Sequence, residues 1–465
     1  MNLHISAKKT CGLLLCLLPI TTLFAQSAAD SFTLHQAIAL SLSHYPAIKA
    51  KQAQVKAGQA NVTDVKHNWY PAIKLHEQID AGTDNSIYGS YFTMGMIPST
   101  SGGIRNENNN ALMSGNIAMA NMQWEIYNFG AYGSEQKEAK QALRVQQTDL
   151  DNTANQLTVT VIQNYLELLR LQALRKIQAD NIQRNAEVLR AVTAIVLHGL
   201  KPGVDSAVAA AELSKARLNY LDVKNQYNQV RIQLSTFTGL DTALVLPDTT
   251  NNAHLLTLLT KEEPAINGSH PMLEYYNSIY LQQRAAEQVI RKAHLPKVSL
   301  MAAGWMRGSS GSFNDMYDKN LWSGMGYSRY NYLLGMGITY NLTDLKRTHE
   351  KLAVQRYKSE VAEQQLETTR TNLSGLLQQA QADILTSKDK LKELPLQLAA
   401  AQAAAKQKMA LYKAGLTNII DVTNALFVLN RAETDLVQTR DAAWKALFRA
   451  AYAGNSLSQL LPDLN

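Results

Sequence analysis

Side chains able to do chemistry are spread thinly through these 465 residues, and they do not converge. Ten histidines are scattered along the chain. None forms a His-Glu-x-x-His pair that would seat zinc. There is also no glycine-rich loop ending in Lys-Ser or Lys-Thr to cradle phosphates, and no strained Gly-x-Ser-x-Gly turn to present a nucleophile. His67 and His294 each lie shortly ahead of a proline, Pro71 and Pro296, which reads as repeated architecture. Met94, Met96, Met113, Met119 and Met122 are soft donors of the kind that bind thiophilic metals. Packing on strands is the better reading of so dispersed a set. Cys11 and Cys16 both fall in an apolar N-terminal run, so the rest of the chain has no thiol for nucleophilic, redox or metal chemistry. We therefore expect no catalytic residue, no metal and no cofactor. The remaining polar groups of interest flank two glycine turns. Asp205 follows Gly199 to Gly203, and Asp421 follows Gly415 to Asn418. An acid at such a place stabilises the start of a helix.

The N-terminus says where the chain goes. Lys8 and Lys9 precede the apolar run from Cys11 to Phe24, and Ala25-Gln26 offers a small-residue cleavage site. This is the pattern of a secretory signal over residues 1–25. The run is shorter than the roughly 20 apolar residues of a spanning helix. Leu15 precedes Cys16 where a lipoprotein signal carries a small residue, so a lipid anchor is not expected. No later stretch reads as a transmembrane helix, which leaves a soluble exported protein or one that crosses a membrane as strands. Net charge is +7, from 45 basic and 38 acidic residues. The basic residues form no stripe interleaved with aromatics, which argues against nucleic acid as a partner.

The chain repeats itself. Pro46 and Pro271 stand 225 residues apart, and so do Pro71 and Pro296. Tyr127-Asn128-Phe129 is echoed by Tyr340-Asn341-Leu342, and HGLKPGVD at His198 to Asp205 by AGLTNIID at Ala414 to Asp421. Four landmarks recurring in one order indicate internal duplication. Each half opens with a helix, from about Leu34 to Trp69 and from Met272 to His294, stopped by a proline. A glycine- and aromatic-bearing strand region follows, Ala72 to Tyr127 and Lys297 to Leu342. Polar loops interrupt it near Asp84 to Asn110 and Gly308 to Ser328. Leu334, Met336, Ile338, Tyr340 and Leu342 alternate with Gly335, Gly337, Thr339 and Asn341, and Val298, Leu300, Ala302, Gly304 and Met306 form a second apolar row. Such rows suit membrane strands with one face on lipid and one on water.

Two exceptional helices come next. No proline or glycine occurs from Ser134 to His198, and only Gly375 and Pro395 interrupt Leu345 to Ala414. Leu143, Leu150, Leu157 and Leu171, then Leu377, Ile384, Leu391 and Leu398, keep a seven-residue spacing. Small and polar residues share these faces, as in helices that touch neighbours on two sides while facing water on another. Returning helices run from Asp205 to Phe237 and from Asp421 to Ala453, and Thr238 to His270 reads as a mixed linker. A simple coiled-coil dimer is the competing architecture, and a periplasmic coiled-coil adaptor or scaffold without a pore the competing function.

The ordered set resembles the TolC-type outer-membrane efflux family over nearly the whole mature chain. SFTLHQAIALSLSHYPAIKAKQAQVKAG at Ser31 to Gly58 is similar to the family's N-terminal helix opening. QWEIYNFGAYGSEQKEAK at Gln123 to Lys140 is similar to its strand exit, and AGLTNIIDVTNA at Ala414 to Ala425 to its tip motif. The resemblance implies a mainly α fold with a membrane β-barrel part. Four antiparallel strands and long coiled-coil-like helices per chain would lie in two repeats, 26–250 and 251–465. Three copies would complete a twelve-stranded barrel and a helical tunnel, since an open sheet edge in lipid leaves backbone groups unpaired. It implies an outer-membrane exit duct with a periplasmic tunnel, served by a periplasmic adaptor and an inner-membrane pump. Gly199, Leu200, Gly415 and Leu416 match the family's adaptor-binding tips. Tyr412 and Asp205 match a gate pair, joined by a phenol–carboxylate hydrogen bond. Asp421 and Asn424 match two acidic positions of some members, and Thr417 stands where some carry arginine. A ring of Asp421 carboxylates would favour cations, a field that Asn424 weakens.

Overall fold

A computed structural model describes residues 32–83, 85, 94–95, 107–199, 201–247, 270–311 and 316–460. The signal at 1–25, Leu200, Met96 and most of the linker lie outside the described residues.

The two halves share one element order. The first has α1 (Leu34–His44), α2 (Pro46–His67), β1 (Ala72–Gly82), β2 (Met113–Tyr127), α3 (Ala131–Leu197) and α4 (Gly203–Thr238). The second has α5 (Pro271–Ala293), β3 (Lys297–Ser309), β4 (Arg329–Thr339), α6 (Asp344–Lys413) and α7 (Ile419–Ala453). The prolines explain the register. Pro46 and Pro271 both sit at the first turn of a helix, where a missing N–H costs nothing. This corrects the single opening helix read from sequence. Tyr45 is extended (φ −64, ψ 124), so the chain breaks between α1 and α2. Thr33 starts α1 with a capping box closed by Gln36.

α3 and α6 contain 67 and 70 residues, each about 100 Å long at 1.5 Å per residue. α6 runs unbroken through Pro395, and Leu391 and Leu394 beside it are buried. Near mid-length, α1, α3, α4 and α7 enclose the largest apolar core: Leu34, Ile38, Val161, Leu168, Tyr227, Leu234, Trp444 and Phe448. The seven-residue leucine positions are buried or half-buried, and so are polar residues on the same helices, among them Asn152, Gln178, Asn181 and Asn185.

The strands form one antiparallel sheet in the order β1-β2-β3-β4. The two hairpins are therefore joined, β2 pairing with β3 from Gly115↔Ser309 to Tyr127↔Val298. Register aligns the faces. One row runs Leu75, Ala120, Gly304, Tyr332, and the next runs Ile73, Met122, Ala302, Leu334. These rows make a continuous apolar face that, among the described residues, no element covers at β1 and β4: Leu75 is 81% and Tyr330 84% exposed. The opposite face is largely polar, with Lys74, His76, Gln78 and Asp80 on β1 and Asn121, Gln123 and Glu125 on β2. The alternating run read through Leu342 stops earlier, because β4 ends at Thr339 and Asn341 starts the turn into α6. At the helix end of the sheet, Trp124 donates its indole N–H to the Trp69 carbonyl (2.8 Å), and Tyr132 donates to that of Lys66 (2.7 Å).

At the far end, the turn Leu321–Met325 lies on the sheet. Asn116 donates to the Met325 carbonyl (2.7 Å) and Ser114 to that of Leu321 (2.5 Å). Gly308 makes this approach possible: a Cβ there would lie 2.0 Å from the Gly326 carbonyl oxygen. Gly308→Ala should displace this turn and cost about 1–3 kcal/mol. Gly326→Ala, whose added carbon meets nothing within 4 Å, should be silent. Thermal unfolding and protease sensitivity of the 310–328 segment measure both.

Candidate gate at the helical tips

Local chain chemistry builds the tips. α6 ends in a Schellman motif: the Leu416 N–H donates to Leu411 (2.9 Å) and the Gly415 N–H to Tyr412 (3.0 Å). This needs a left-handed residue, and Gly415 has φ +78. Asn418 then caps α7, accepting from the Asp421 N–H at 2.8 Å. The other tip turns at Gly199 (φ +73), and Pro202 precedes α4. Leu416 is 75% exposed.

The Schellman turn fixes Tyr412 one turn back from the tip, where it is 1% exposed. Around it lies the apolar cluster of Val188, Val192, Ala209, Ala405, Ile419 and Val422. Its hydroxyl donates to Oδ2 of Asp205, on the other hairpin, at 3.1 Å. Burial, then the hydrogen bond and charge of Asp205, push the Tyr412 phenol up to about 12. Since a raised phenol pKa favours the protonated donor in the fold, the contact holds below the ordinary value of 10.0 and fails only as pH rises through about 12. Lys201 lies over the Tyr412 ring, 6.0 Å from its centre.

The structure thus brings Tyr412 and Asp205 together, and it leaves Asp421 and Asn424 within their own hairpin. Asp421 accepts from the Thr417 hydroxyl (2.6 Å) and from Lys408 (3.0 Å), and both partners hold its carboxyl below the usual range. Lys408 went unnoticed in the sequence. Lys408 and Asp421 lie at nearly equal distances on either side of the turn, so antiparallel pairing about Gly415 was the available signal. Asn424 is exposed.

Further polar links join the halves above the tip, among them two charged groups that the sequence alone does not announce. Arg184 of α3 forks onto Glu433 of α7 at 3.0 and 2.7 Å. Higher still, Lys445 contacts Glu167 (2.9 Å) and Asp441 (2.8 Å), while Arg170 bonds Glu167 and approaches Asp441 at 3.9 Å. Burial opposes ionisation of Glu167, but hydrogen bonds and charge from Arg170 and Lys445 prevail and hold it at about 2. Asp441 is instead pushed up, burial outweighing Lys445. The two carboxylates share two cations, and Glu167 takes the stronger bonds. A depressed carboxyl pKa stabilises the fold above the ordinary value of 4.5 and loses that contribution as pH falls toward about 2. Glu167→Gln should therefore cost about 1–3 kcal/mol at neutral pH. Its deficit should shrink through that acid window, read by thermal unfolding against pH.

Comparison with known proteins then gives the frame. No curated protein matches the sequence. The outer-membrane channel OprN is similar in structure at 17% identity, with 91% of this chain and 90% of that chain covered and a TM-score of 0.72. CusC is similar at 14% identity, covering 93% and 95%, with a TM-score of 0.75. The CmeC outer membrane channel of Campylobacter jejuni is similar at 14% identity, covering 93% and 90%, with a TM-score of 0.70. At these identities the likeness is one of fold. The profile of outer membrane efflux proteins matches residues 37–240 and 280–450. By that match, across most of its length, the chain belongs to the outer membrane efflux protein family, whose members are passive export channels and not enzymes.

Proposed function

We propose that three copies of this chain close a twelve-stranded barrel in the outer membrane and continue it as a helical tunnel through the periplasm. The single observation that carries this reading is the open sheet. Among the described residues β1 and β4 each have a neighbour on one side only, and the apolar face ends at those edges. An unpaired edge is untenable in lipid. Pairing β4 of one copy with β1 of the next removes every edge. In this reading residues 1–25 are the export signal, and 26–250 and 251–465 are the two repeats.

The tips point away from the membrane and dock a periplasmic adaptor, which links the duct to an inner-membrane pump. Gly199, Leu200, Gly415 and Leu416 form the docking surface. The exposure of Leu416 supports this, since an apolar side chain at a helix turn gains by burial against a partner. The hydrogen bond from Tyr412 to Asp205 ties one hairpin to the other and holds the tunnel closed. Asp421 and Asn424 line the constriction with little net field, because Lys408 compensates the one carboxylate.

The protein purified in detergent should migrate as a heat-modifiable trimer and conduct ions in planar bilayers. Tyr412→Phe removes the donor and leaves the packing, so its conductance should rise several-fold, a change of roughly 1 kcal/mol in the closed state. Unchanged conductance counts against the gate. A soluble, non-conducting extract would favour the pore-less adaptor instead.

A further inference from the structure

The polar face of the sheet carries a pair of cations that no acid among the described residues answers. Register sets Arg307 of β3 directly opposite Arg329 of β4. Side chains so placed have Cβ atoms about 4.5–5.5 Å apart, and like charges there repel. Arg329 donates to its neighbour's carbonyl, Ser328, at 3.0 Å. The Nε of Arg307 is buried and has no hydrogen-bond partner. Among the described residues, neither guanidinium contacts a carboxylate.

The other charges of this face are spoken for or distant. Asp80 accepts two bonds from Gln78 (3.0 and 2.8 Å). Glu125 pairs with Lys297 (3.0 Å) at the opposite end of the strands, and Lys74 adds a further positive charge. Glu77 lies on the apolar face and takes the Tyr327 hydroxyl. Two guanidiniums on facing strands, with only one Arg329 N–H engaged by a backbone carbonyl, constitute a receptor for an oxyanion, because the planar fork matches phosphate, sulfate or carboxylate. Their position is the sheet end farthest from α3 and α6, where β3 finishes and β4 begins.

We propose that Arg307 and Arg329 form an anion-binding site on the inner wall of the duct's outer mouth, and that its threefold repetition gives the channel a preference for anions. This rests on the trimeric duct described above. A ring of like charges lining a pore raises the local concentration of the oppositely charged ion and so biases which ion permeates. At the other end, Lys408 offsets Asp421, so no uncompensated acidic ring opposes the effect. The anion in question passes through the lumen. A lipid headgroup phosphate has the same chemistry, but the arginines share a face with Trp305 and Asn331, opposite the apolar face that carries Met306 and Tyr330.

The test is the reversal potential of the full-length protein in zwitterionic phospholipid bilayers under a potassium chloride gradient. The wild type should favour chloride. Arg307→Gln with Arg329→Gln should lower the chloride-to-potassium permeability ratio by about threefold or more, and Arg307→Lys with Arg329→Lys should keep it. Millimolar inorganic phosphate should reduce the wild-type current and spare that of the glutamine variant. A cation-preferring wild type, or a glutamine variant with an unchanged ratio, overturns the site while leaving the duct intact. Altered retention of anionic lipid with no change in reversal potential overturns the luminal assignment. Absence of any channel current overturns both site and duct.

Discussion

An antiparallel sheet with an apolar face and two bare edges cannot be the end of an assembly. The backbone groups along β1 and β4 must find partners, and in a hydrocarbon layer only another strand supplies them. This constraint makes the rest of the chain intelligible. Four strands are too few to curl into a closed wall, so the proposed assembly uses the same polypeptide several times. Each strand pair exits into a helix of about 100 Å, so the wall continues beyond the sheet without a new start. The duplicated element order follows too, since a wall of equivalent staves is most simply made by repeating one.

The helical part solves a different problem. Its helices meet neighbours on more than one side, and no side can be wholly apolar. Burial of Val161, Leu168, Leu234 and Trp444 near mid-length supplies the dominant stabilisation, of about 1.5–3 kcal/mol for each large side chain. The polar links add less energy and more specificity. Arg184 with Glu433, and the four-charge group around Glu167, fix the register of the first half against the second. Near the tip the balance shifts to a smaller cluster, and the Tyr412–Asp205 contact becomes a larger share of what holds the hairpins together. That gradient suits the proposed tunnel, held firmly near mid-length and movable at its free end.

Much of this was legible in the sequence, for local reasons. Prolines at 71, 271 and 296 mark helix starts and strand starts through their missing N–H. The gap in proline and glycine before Gly199 marks α3, and period-two alternation marks β4. Failures occurred where tertiary contact decides. The break at Tyr45 was hidden because a proline at a first turn and one inside a helix look alike in sequence. The β2–β3 pairing, which fuses two hairpins into one sheet, spans more than 170 residues and leaves no local trace. Arg184 and Glu433 are 249 residues apart, and each alone reads as a solvated helix charge. Tyr412 and Asp205 stood out only through resemblance, because nothing in their neighbours announces a buried phenol.

The central claim is that the chain is one stave of a closed wall. Electron microscopy of the detergent-solubilised protein tests it most directly. A closed wall of three such chains would appear as a long hollow cylinder with threefold symmetry, its length dominated by the stacked helices. A compact monomeric particle without a lumen would contradict it.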